Sequence, residues 1–393
     1  IREANIHHAA TIFEPHITNL EALRKIRANT SCLLSVVGSI MTPEEAESLL
    51  EEGSADLIML GRSTLADPFW PVKAQMGHSE DIVPCIRCLQ CYHVSTDHKN
   101  VQCSVNPRFN REKRVPLILP VTGHPKHLVI VGGGPAGITC ALTASRRGHQ
   151  VTLLEKEPVL TGKLNIACHG EHKADLRRFR DYLLTQLRKS SVTVHTGVLA
   201  DTDVVRGLKP DALVIAVGAT PSRIPLPGVD GDNCMQISEF LQSPDTSLQH
   251  YIIIGGGSVG CETALDLAEK GKDVSIIEMT DCLASASNDL YRLALSEHFA
   301  RYDNLHTNLN SACQSIDADG VNVLTNGAST HISGDKVLLS LGFRPDAKQV
   351  SSLYGIVPDT YYVGDCERVA TVAEAVNNAY FIGANVFQEQ DII

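Results

Sequence analysis

Two short apolar runs near the start of the chain predict strands. The first is Ser31–Val37 (SCLLSVV), which ends at Gly38-Ser39. The second is Ala55–Leu60 (ADLIML), which ends at Gly61-Arg62. Both are rich in apolar residues and are bounded by glycine, as expected of buried strands.

The polar segment between these runs predicts a helix. Thr42 suits the N-cap, Pro43 suits the first helical position, and Glu45 completes a capping box. The apolar face of the helix would be formed by Ala46, Leu49 and Leu50. Strand, helix and strand in this order favour a parallel sheet or a barrel.

Residues 126–393 contain an internal repeat. His127–Glu155 and His250–Glu278 match at a constant offset, 250 − 127 = 123. Each copy has the pattern of a strand, a GxGxxG turn, a helix, a second strand and an acid. The glycines of the two turns are Gly132, Gly134 and Gly137 in the first copy and Gly255, Gly257 and Gly260 in the second. Two copies indicate a duplicated supersecondary unit and not a solenoid.

The repeated pattern is typical of dinucleotide binding. The glycines allow a tight turn and the close approach of a pyrophosphate to the helix N-terminus, where Pro135, Ala136 and Ser258 lie. Glu155 and Glu278 would accept hydrogen bonds from a ribose hydroxyl. A carboxylate repels a 2′-phosphate, so Glu278 favours NADH over NADPH, although basic residues elsewhere could oppose it. The alternative is a glycine-rich turn with no ligand.

Four of the twelve cysteines are closely spaced, as Cys85-x2-Cys88-x2-Cys91-x11-Cys103. Three near thiolates and a more distant fourth suit the corners of a 4Fe–4S cluster. Zinc ribbons usually pair one CxxC with another, which makes zinc the weaker alternative, and unligated thiols are the third. The other cysteines, such as Cys140 and Cys261, are expected to be small buried hydrophobes.

Composition narrows the functional class. Hydrophobic residues make up 43% of the 393 residues and charged residues 20%, which is typical of a globular protein. The charge balance, 34 − 45 = −11, argues against a nucleic-acid partner. No apolar run reaches the ~20 residues of a membrane span, and no signal peptide is recognisable. We therefore expect a reducing, cytoplasmic location. The start at Ile1 suggests that an upstream part is missing.

Two tandem dinucleotide folds resemble the two-dinucleotide flavoprotein oxidoreductases. Asp211–Pro221 (DALVIAVGATP) is similar to the strand and turn that close the first FAD segment, which implies roles for Ala216 and Gly218. Tyr361–Cys366 (YYVGDC) is similar to the terminal FAD motif, in which Gly364-Asp365 would hold the ribityl or phosphate side. This resemblance implies FAD in the first fold, with the NAD fold inserted into it.

The cysteine segment and its flanks (CIRCLQC…CSVNP) resemble the flavin and iron–sulfur branch of the Old Yellow Enzyme superfamily. That branch includes 2,4-dienoyl-CoA reductase, 2-enoate reductase and trimethylamine dehydrogenase. SVVGSI and ADLIMLGRSTLADP resemble its seventh and eighth barrel strands, whose ends bind the FMN phosphate. The resemblance therefore implies that Gly38, Ser39, Gly61 and Arg62 bind FMN. The alternative for Arg62 is an ordinary surface charge.

The implied fold class is α/β: the C-terminal end of a TIM barrel, a 4Fe–4S segment, and two Rossmann-like domains. We expect barrel strands in 1–80, the cluster segment and linker in 81–125, the FAD domain in 126–248 and 345–393, and the NAD(H) domain in 249–344. Only the last two barrel strands are recognisable, so either the chain is a fragment or another polypeptide supplies the first six.

The chain departs from the family at two places. Thr161-Gly162-Lys163 stands where the family usually has Gly-Gly before the residue near the flavin, which weakens the assignment of Lys163 more than that of Gly162. Arg2 stands where the dienoyl-CoA reductases have a catalytic His, and His7 and His8 do not match it. The family's proton-donating Tyr would lie in the missing part, so no catalytic acid is assigned.

The leading hypothesis is an NADH-dependent reductase of an activated C=C bond, in an enoate, enone or enoyl thioester. Electrons would pass from NADH to FAD, the 4Fe–4S cluster, FMN and a small-molecule substrate. One alternative is a trimethylamine-dehydrogenase-like amine oxidation. Another is a diaphorase-type electron-transfer module that serves a separate catalytic subunit. A homo-oligomer is possible under each hypothesis.

Overall fold

The N-terminal segment contains a pair of short parallel strands and a well-capped helix. The computed structural model describes residues 9–96 and 99–387, so Arg2, His7 and His8 lie outside the described residues. The elements of the segment are α1 (Leu20–Arg27), β1 (Ser35–Val36), α2 (Pro43–Glu51), β2 (Leu57–Ile58), α3 (Arg62–Ala66), α4 (Trp70–Gln75) and α5 (Gln90–Thr96). Helix α2 begins as predicted, with Thr42 and Glu45 forming a capping box and Pro43 in the first turn.

The two predicted strands are much shorter than their apolar runs. Strand β1 pairs with β2 only at Ser35↔Leu57 and Val36↔Ile58. Backbone forms a ladder only where a partner strand lies alongside, and the described residues offer no further partner here. Leu57 is 58% exposed, so the expectation of a fully buried second strand was wrong. Leu50 is also exposed, whereas Ala46 and Leu49 are buried on the inner face of α2.

A five-stranded parallel sheet forms the core of the next part of the chain. Its strand order is β17-β6-β3-β4-β5, from β3 (His127–Val131), β4 (Gln150–Glu155), β5 (Thr193–Thr196), β6 (Ala212–Ile215) and β17 (Thr360–Tyr362). Buried side chains of β3, β4 and β6 pack together on one face of this sheet. The helices of this part are α6 (Pro135–Arg146), α7 (Leu164–Ala167), α8 (Ala174–Lys189), α9 (Thr202–Gly207), α13 (Ala347–Leu353) and α14 (Val372–Asn385).

A second five-stranded parallel sheet has the order β11-β10-β9-β15-β8. Its strands are β8 (Cys234–Gln236), β9 (His250–Ile254), β10 (Asp273–Ile277), β11 (Leu305–Asn308) and β15 (Lys336–Leu339), accompanied by α10 (Ile237–Phe240), α11 (Ser258–Glu269) and α12 (Asp289–Phe299). The remaining strands are an antiparallel sheet of β12 (Ser311–Asp317), β13 (Gly320–Thr325) and β14 (Ala328–Ser333), and a pair of β7 (Ala219–Pro221) and β16 (Phe343–Pro345).

The chain divides into two compact units. The first contains Ile1–Leu164, Ala174–Ala219 and Pro345–Ile393, and the second contains Asn165–Lys173 and Thr220–Arg344. Each unit holds one of the parallel sheets. Within the described residues, no helix combines the length and the apolar composition that a bilayer crossing requires.

The internal repeat extends further in space than the sequence comparison indicated. After the acid of each copy, the backbone returns to the glycine turn, where Thr161 N–H donates to Gly133 O and Ala284 N–H donates to Gly256 O, both at 2.7 Å. Thr161 and Ala284 are again 284 − 161 = 123 residues apart, and both have positive φ, 75° and 48°. In both copies, the segment that follows the acid therefore makes the same backbone hydrogen bond to the glycine turn.

A buried charge network ties the N-terminal segment to helix α8. Asp175 is 2% exposed and accepts hydrogen bonds from Arg87 Nε at 2.6 Å and from His16 Nε2. The other ring nitrogen of His16 bonds the Glu45 carboxylate. Burial alone would lower the pKa of His16, but its hydrogen bonds to Asp175 and Glu45 outweigh burial and raise it to about 9.

Gly137→Ala should destabilise the first unit. A Cβ at this position would lie 1.9 Å from the carbonyl oxygen of Gly132, so the turn and helix α6 would have to separate. We expect a loss of about 1–3 kcal/mol, the usual range for overpacking, measured by urea unfolding. Gly207→Ala is the matched control, because its Cβ would meet nothing within 4 Å at the end of α9. Equal stability of the two variants would contradict this account of the turn.

Stability should fall with rising pH through the titration of His16. The folded-state pKa of about 9 lies above the ordinary histidine value of 6.5, so the contribution is complete below about pH 6.5 and is lost as pH rises through 9. The loss should approach about 3 kcal/mol by pH 10, measured as the difference in unfolding free energy between the parent chain and His16→Gln. A difference that stays constant from pH 6 to pH 10 would exclude this contribution.

Candidate functional site

The three glycines of the first turn are required for three different reasons. Gly132 has a φ of 113°, and a Cβ there would lie 2.2 Å from Ala216 O. Gly137 lets helix α6 approach the turn closely. Gly134 meets neither constraint, because its φ is −75° and a Cβ would have no neighbour within 4 Å. The space beside Gly134 is where a dinucleotide turn admits a pyrophosphate.

The second turn repeats this geometry. A Cβ at Gly255 would lie 2.3 Å from Ser340 O, and one at Gly260 would lie 2.3 Å from Gly255 O. A Cβ at Gly257 would again meet nothing within 4 Å, and helix α11 starts at the next residue, Ser258. Both turns therefore keep open space at the N-terminus of a twelve-residue helix, where backbone N–H groups attract phosphate.

The acid at the end of each second strand is fixed by the turn that it faces. Glu155 Oε2 accepts from Gly133 N–H at 2.6 Å, and Glu278 Oε2 accepts from Gly256 N–H at 2.7 Å. The remaining oxygen of Glu278 accepts from both the N–H and the hydroxyl of Thr280, at 2.8 and 2.9 Å. These bonds hold each carboxylate against the glycine turn of its own copy.

Residues far apart in sequence gather around the first turn. Lys163 forms an ion pair with Asp365, 202 residues away. A Cβ at Gly364 would lie 3.0 Å from Cβ of Ala136, and one at Gly162 would lie 3.5 Å from Cα of Gly134. The structure thus brings these predicted FAD residues together.

The other predicted FAD residues lie at the same end of the sheet. Ala216 follows strand β6 and contributes the carbonyl against which Gly132 packs. Gly218 has a φ of 75° in the turn before β7. Pro135 and Ala136 form the start of helix α6.

The four closely spaced cysteines line one cavity. Cys85, Cys88, Cys91 and Cys103 line a small cavity together with Arg62 and several apolar side chains. Among residues 9–96 and 99–387, no three His, Cys, Asp or Glu side chains converge in the manner of a single metal ion's ligands. A four-iron cluster has four thiolate ligands around a larger inorganic core. The donor set and its arrangement around a cavity therefore fit a cluster.

Burial opposes the ionisation of the thiols that line this cavity. Burial raises the pKa of the Cys85 and Cys103 thiols to about 12, and the charge of Arg62 opposes the rise at Cys85. Burial also raises the pKa of Cys91. Metal cations displace such protons, because they stabilise the thiolate directly.

Arg62 connects the cysteine cavity with the end of strand β1. Its guanidinium donates to Ser39 Oγ and to Ala10 O, both at 2.8 Å. Ser39 has a φ of 56°, and the preceding Gly38 has a φ of 138°. Gly61 is the N-cap residue of the short helix that begins at Arg62. Arg62 is thus part of a structured site, contrary to the alternative of a free surface charge.

Sequence reasoning missed two buried polar residues around the cysteines. Asp175 continues the buried stripe Phe179, Leu183 and Leu187 of helix α8 at a spacing of four, a position that could have marked it. Asn377 is 7% exposed on α14 and donates to Cys103 O at 3.1 Å. Nothing in the sequence distinguishes Asn377 from its exposed neighbour Asn378. Cys140 and Cys261 are buried as expected, whereas Cys32 is exposed.

Comparison with known proteins agrees with this architecture. The model of the family described as pyridine nucleotide-disulphide oxidoreductase matches residues 126–379. The model of the NADH:flavin oxidoreductase / NADH oxidase family matches residues 1–81.

Curated relatives and a solved structure match nearly the whole chain. An NADH oxidase of Thermoanaerobacter brockii is 33% identical, over 95% of this chain and 60% of its own length. A cinnamate reductase of Clostridium sporogenes is 28% identical, over 89% of this chain and 52% of its own length. The structure of a 2-naphthoyl-CoA reductase complex has a TM-score of 0.90 at 27% identity, and the match covers 96% of this chain and 58% of that one.

The chain therefore spans a little more than half the length of these relatives. Both family models describe oxidoreductases that use a flavin or a pyridine nucleotide, so the two matches indicate an oxidoreductase that binds a flavin and NAD(P)H. It belongs to the pyridine nucleotide-disulphide oxidoreductase family, and its NADH:flavin oxidoreductase segment, together with these relatives, fits the flavin and iron–sulfur branch of the Old Yellow Enzyme superfamily.

Proposed function

We propose that the whole protein catalyses NADH-dependent reduction of an activated C=C bond. Electrons would pass from NADH through FAD, a 4Fe–4S cluster and FMN to the substrate. The observation that carries this proposal is the cavity lined by four cysteines and by Arg62, whose guanidinium also bonds Ser39 at the end of strand β1. The Arg62 guanidinium is thus shared by the predicted cluster site and the predicted FMN site.

Each cofactor has a distinct set of residues in this proposal. The cluster would be held by Cys85, Cys88, Cys91 and Cys103, and the FMN phosphate by Gly38, Ser39, Gly61 and Arg62. FAD would be held by Gly132, Gly134, Pro135, Ala136, Gly137, Glu155, Gly162, Lys163, Ala216, Gly218, Gly364 and Asp365. NADH would be held by Gly255, Gly257, Ser258, Gly260 and Glu278. When bound, the nicotinamide and flavins supply hydride chemistry and the cluster supplies one-electron transfer.

The chain's own residues position and select these groups. Arg62 supplies a fixed positive charge to the cavity of the cysteines and a guanidinium geometry suited to phosphate. Glu278 is oriented by Gly256 and Thr280, so its charge is held where an adenosine ribose binds. The Lys163–Asp365 pair restrains two segments of the predicted FAD site.

Two of the relatives support a substrate class. Cinnamate is an unsaturated carboxylate and 2-naphthoyl-CoA is an unsaturated thioester. In both, a carbonyl group next to the C=C system makes the distal carbon electrophilic, which is what hydride addition requires. We therefore propose an enoate, enone or enoyl thioester as substrate.

The proposed function is tested with the full-length protein under anaerobic conditions. NADH oxidation should depend on an added enoate such as cinnamate, and iron and sulfide should be present. The Cys85→Ser variant should lose iron, and its rate of enoate reduction should fall at least 10-fold. It should still reduce an artificial dye with NADH, because that reaction requires only the FAD. Cys32→Ser is the control, because its thiol is exposed and far in sequence from the cavity.

Other results would replace this function. Turnover of an amine, with an electron acceptor other than NAD, would support the amine oxidation. Dye reduction by NADH without enoate turnover in the parent protein would support the electron-transfer module. Full enoate turnover by an iron-free Cys85→Ser protein would exclude the cluster from the electron path.

Glu278→Gln should relax the preference for NADH. The variant keeps an acceptor oxygen for Gly256 N–H but loses the charge that repels a 2′-phosphate. We expect kcat/KM for NADPH to rise about 10-fold relative to NADH, in line with the removal of about 1.4 kcal/mol of repulsion. The measurement is dye reduction with each nucleotide. Glu155→Gln is the matched control, since it changes the equivalent acid of the other copy, and it should leave the nucleotide ratio unchanged.

A further inference from the structure

Asn377 links helix α14 directly to one of the four cysteines. Its side chain is 7% exposed, and Nδ2 donates to Cys103 O at 3.1 Å and to Ala373 O at 2.9 Å. Its Oδ1 accepts from Arg111 at 2.9 Å. Cys103 and Asn377 are 274 residues apart in sequence.

The orientation of this amide is set by its partners. Two carbonyl oxygens face Nδ2 and a guanidinium faces Oδ1, so the amide uses both donors and its acceptor. The reverse orientation would direct a carbonyl oxygen at two carbonyls and an NH₂ group at a cation. Asn377 can therefore occupy its site in only one way.

Arg111 extends this contact to both sides of Cys103. Its guanidinium donates to Pro107 O at 2.9 Å and to Gln102 Oε1 at 3.4 Å. It also lies over the ring of Phe381, with Cζ 5.1 Å from the ring centroid. Phe381 is one helical turn beyond Asn377, so α14 holds the Cys103 segment at two successive turns.

The same helix leads back to the predicted FAD site. Helix α14 begins at Val372 with a capping box of Thr371 and Glu374. Just before it, Asp365 accepts from Ala370 N–H at 3.1 Å and forms the ion pair with Lys163. A short helical segment thus separates a predicted FAD residue from the residue that holds Cys103.

We propose that Asn377 is a positioning residue that fixes Cys103 relative to helix α14 and thereby controls electron transfer from FAD to the cluster. This inference rests on the proposed function, because it assumes that Cys103 is a cluster ligand. Outer hydrogen bonds of this kind orient ligands and typically change metal affinity or activity by 10–100-fold when they are removed. Arg111 supports the same positioning role, because its guanidinium orients the Asn377 amide.

The test uses the full-length protein loaded with its cofactors. Asn377→Leu removes all three hydrogen bonds at a similar size. Asn377→Asp keeps an acceptor for Arg111 but replaces the donor to Cys103 O by a carboxylate oxygen. Arg111→Gln removes the guanidinium bonds to Asn377, Pro107 and Gln102 but leaves the bond between Asn377 and Cys103 O in place. Asn29→Ala is the matched control, because Asn29 is an exposed asparagine just beyond helix α1, and its side chain donates to Lys25 O of that helix.

Three quantities separate a positioning role from a general defect. They are the iron content, the rate at which NADH reduces the flavin, and the rate at which NADH reduces the cluster, followed by rapid-freeze EPR. We expect both Asn377 variants to keep iron and the flavin rate, to reduce the cluster about 10-fold more slowly, and to show an altered EPR line shape after dithionite. Arg111→Gln should show a smaller slowing, and Asn29→Ala none.

Each other outcome overturns a specific statement. If the parent protein contains no iron–sulfur cluster, the proposed function fails and this inference falls with it. If the parent cluster is reduced by NADH and the Asn377 variants match it in rate and line shape, the inference alone fails. If the variants lose iron, Asn377 is needed for assembly of the site and the positioning role is wrong.

Discussion

The buried pair of Arg87 and Asp175 is the interaction on which the cysteine segment depends. The two side chains are 5% and 2% exposed and their charged atoms are 2.6 Å apart. Charges so far from water are tolerated only when they are paired and hydrogen-bonded, and Asp175 has both His16 and Arg87 as partners. Arg87 lies between Cys85 and Cys88, with a φ of 46°, so this pair fixes the strained loop from which two of the thiols project.

Three polar anchors hold the cysteine cavity, and each comes from a different part of the chain. Arg62 joins it to the end of β1, Asp175 joins it to helix α8, and Asn377 joins it to helix α14. Directional hydrogen bonds from these three residues hold the cavity at its place in the fold, beside the apolar side chains that also line it.

The two glycine turns share the same backbone packing. In both, the first and third glycines satisfy the packing of the turn itself, and the middle glycine leaves space that the protein does not use. The acids that follow are held by equivalent N–H groups at nearly equal distances. The selection of FAD by one copy and NADH by the other, which we propose, must therefore arise outside the turn. On the FAD side the ion pair of Lys163 and Asp365 adds contacts, whereas the position equivalent to Lys163 in the other copy, 163 + 123 = 286, holds the uncharged Ala286.

The sequence by itself determined the elements whose signals are local. The glycine turns, the start of α2 at Thr42 and the grouping of the cysteines follow from spacing and backbone sterics, which neighbouring residues decide. The tertiary structure alone decided the lengths of β1 and β2, because a ladder needs a partner strand alongside. It also decided that Asn377 and not Asn378 reaches Cys103, since that contact joins residues 274 positions apart and depends on how helix α14 packs.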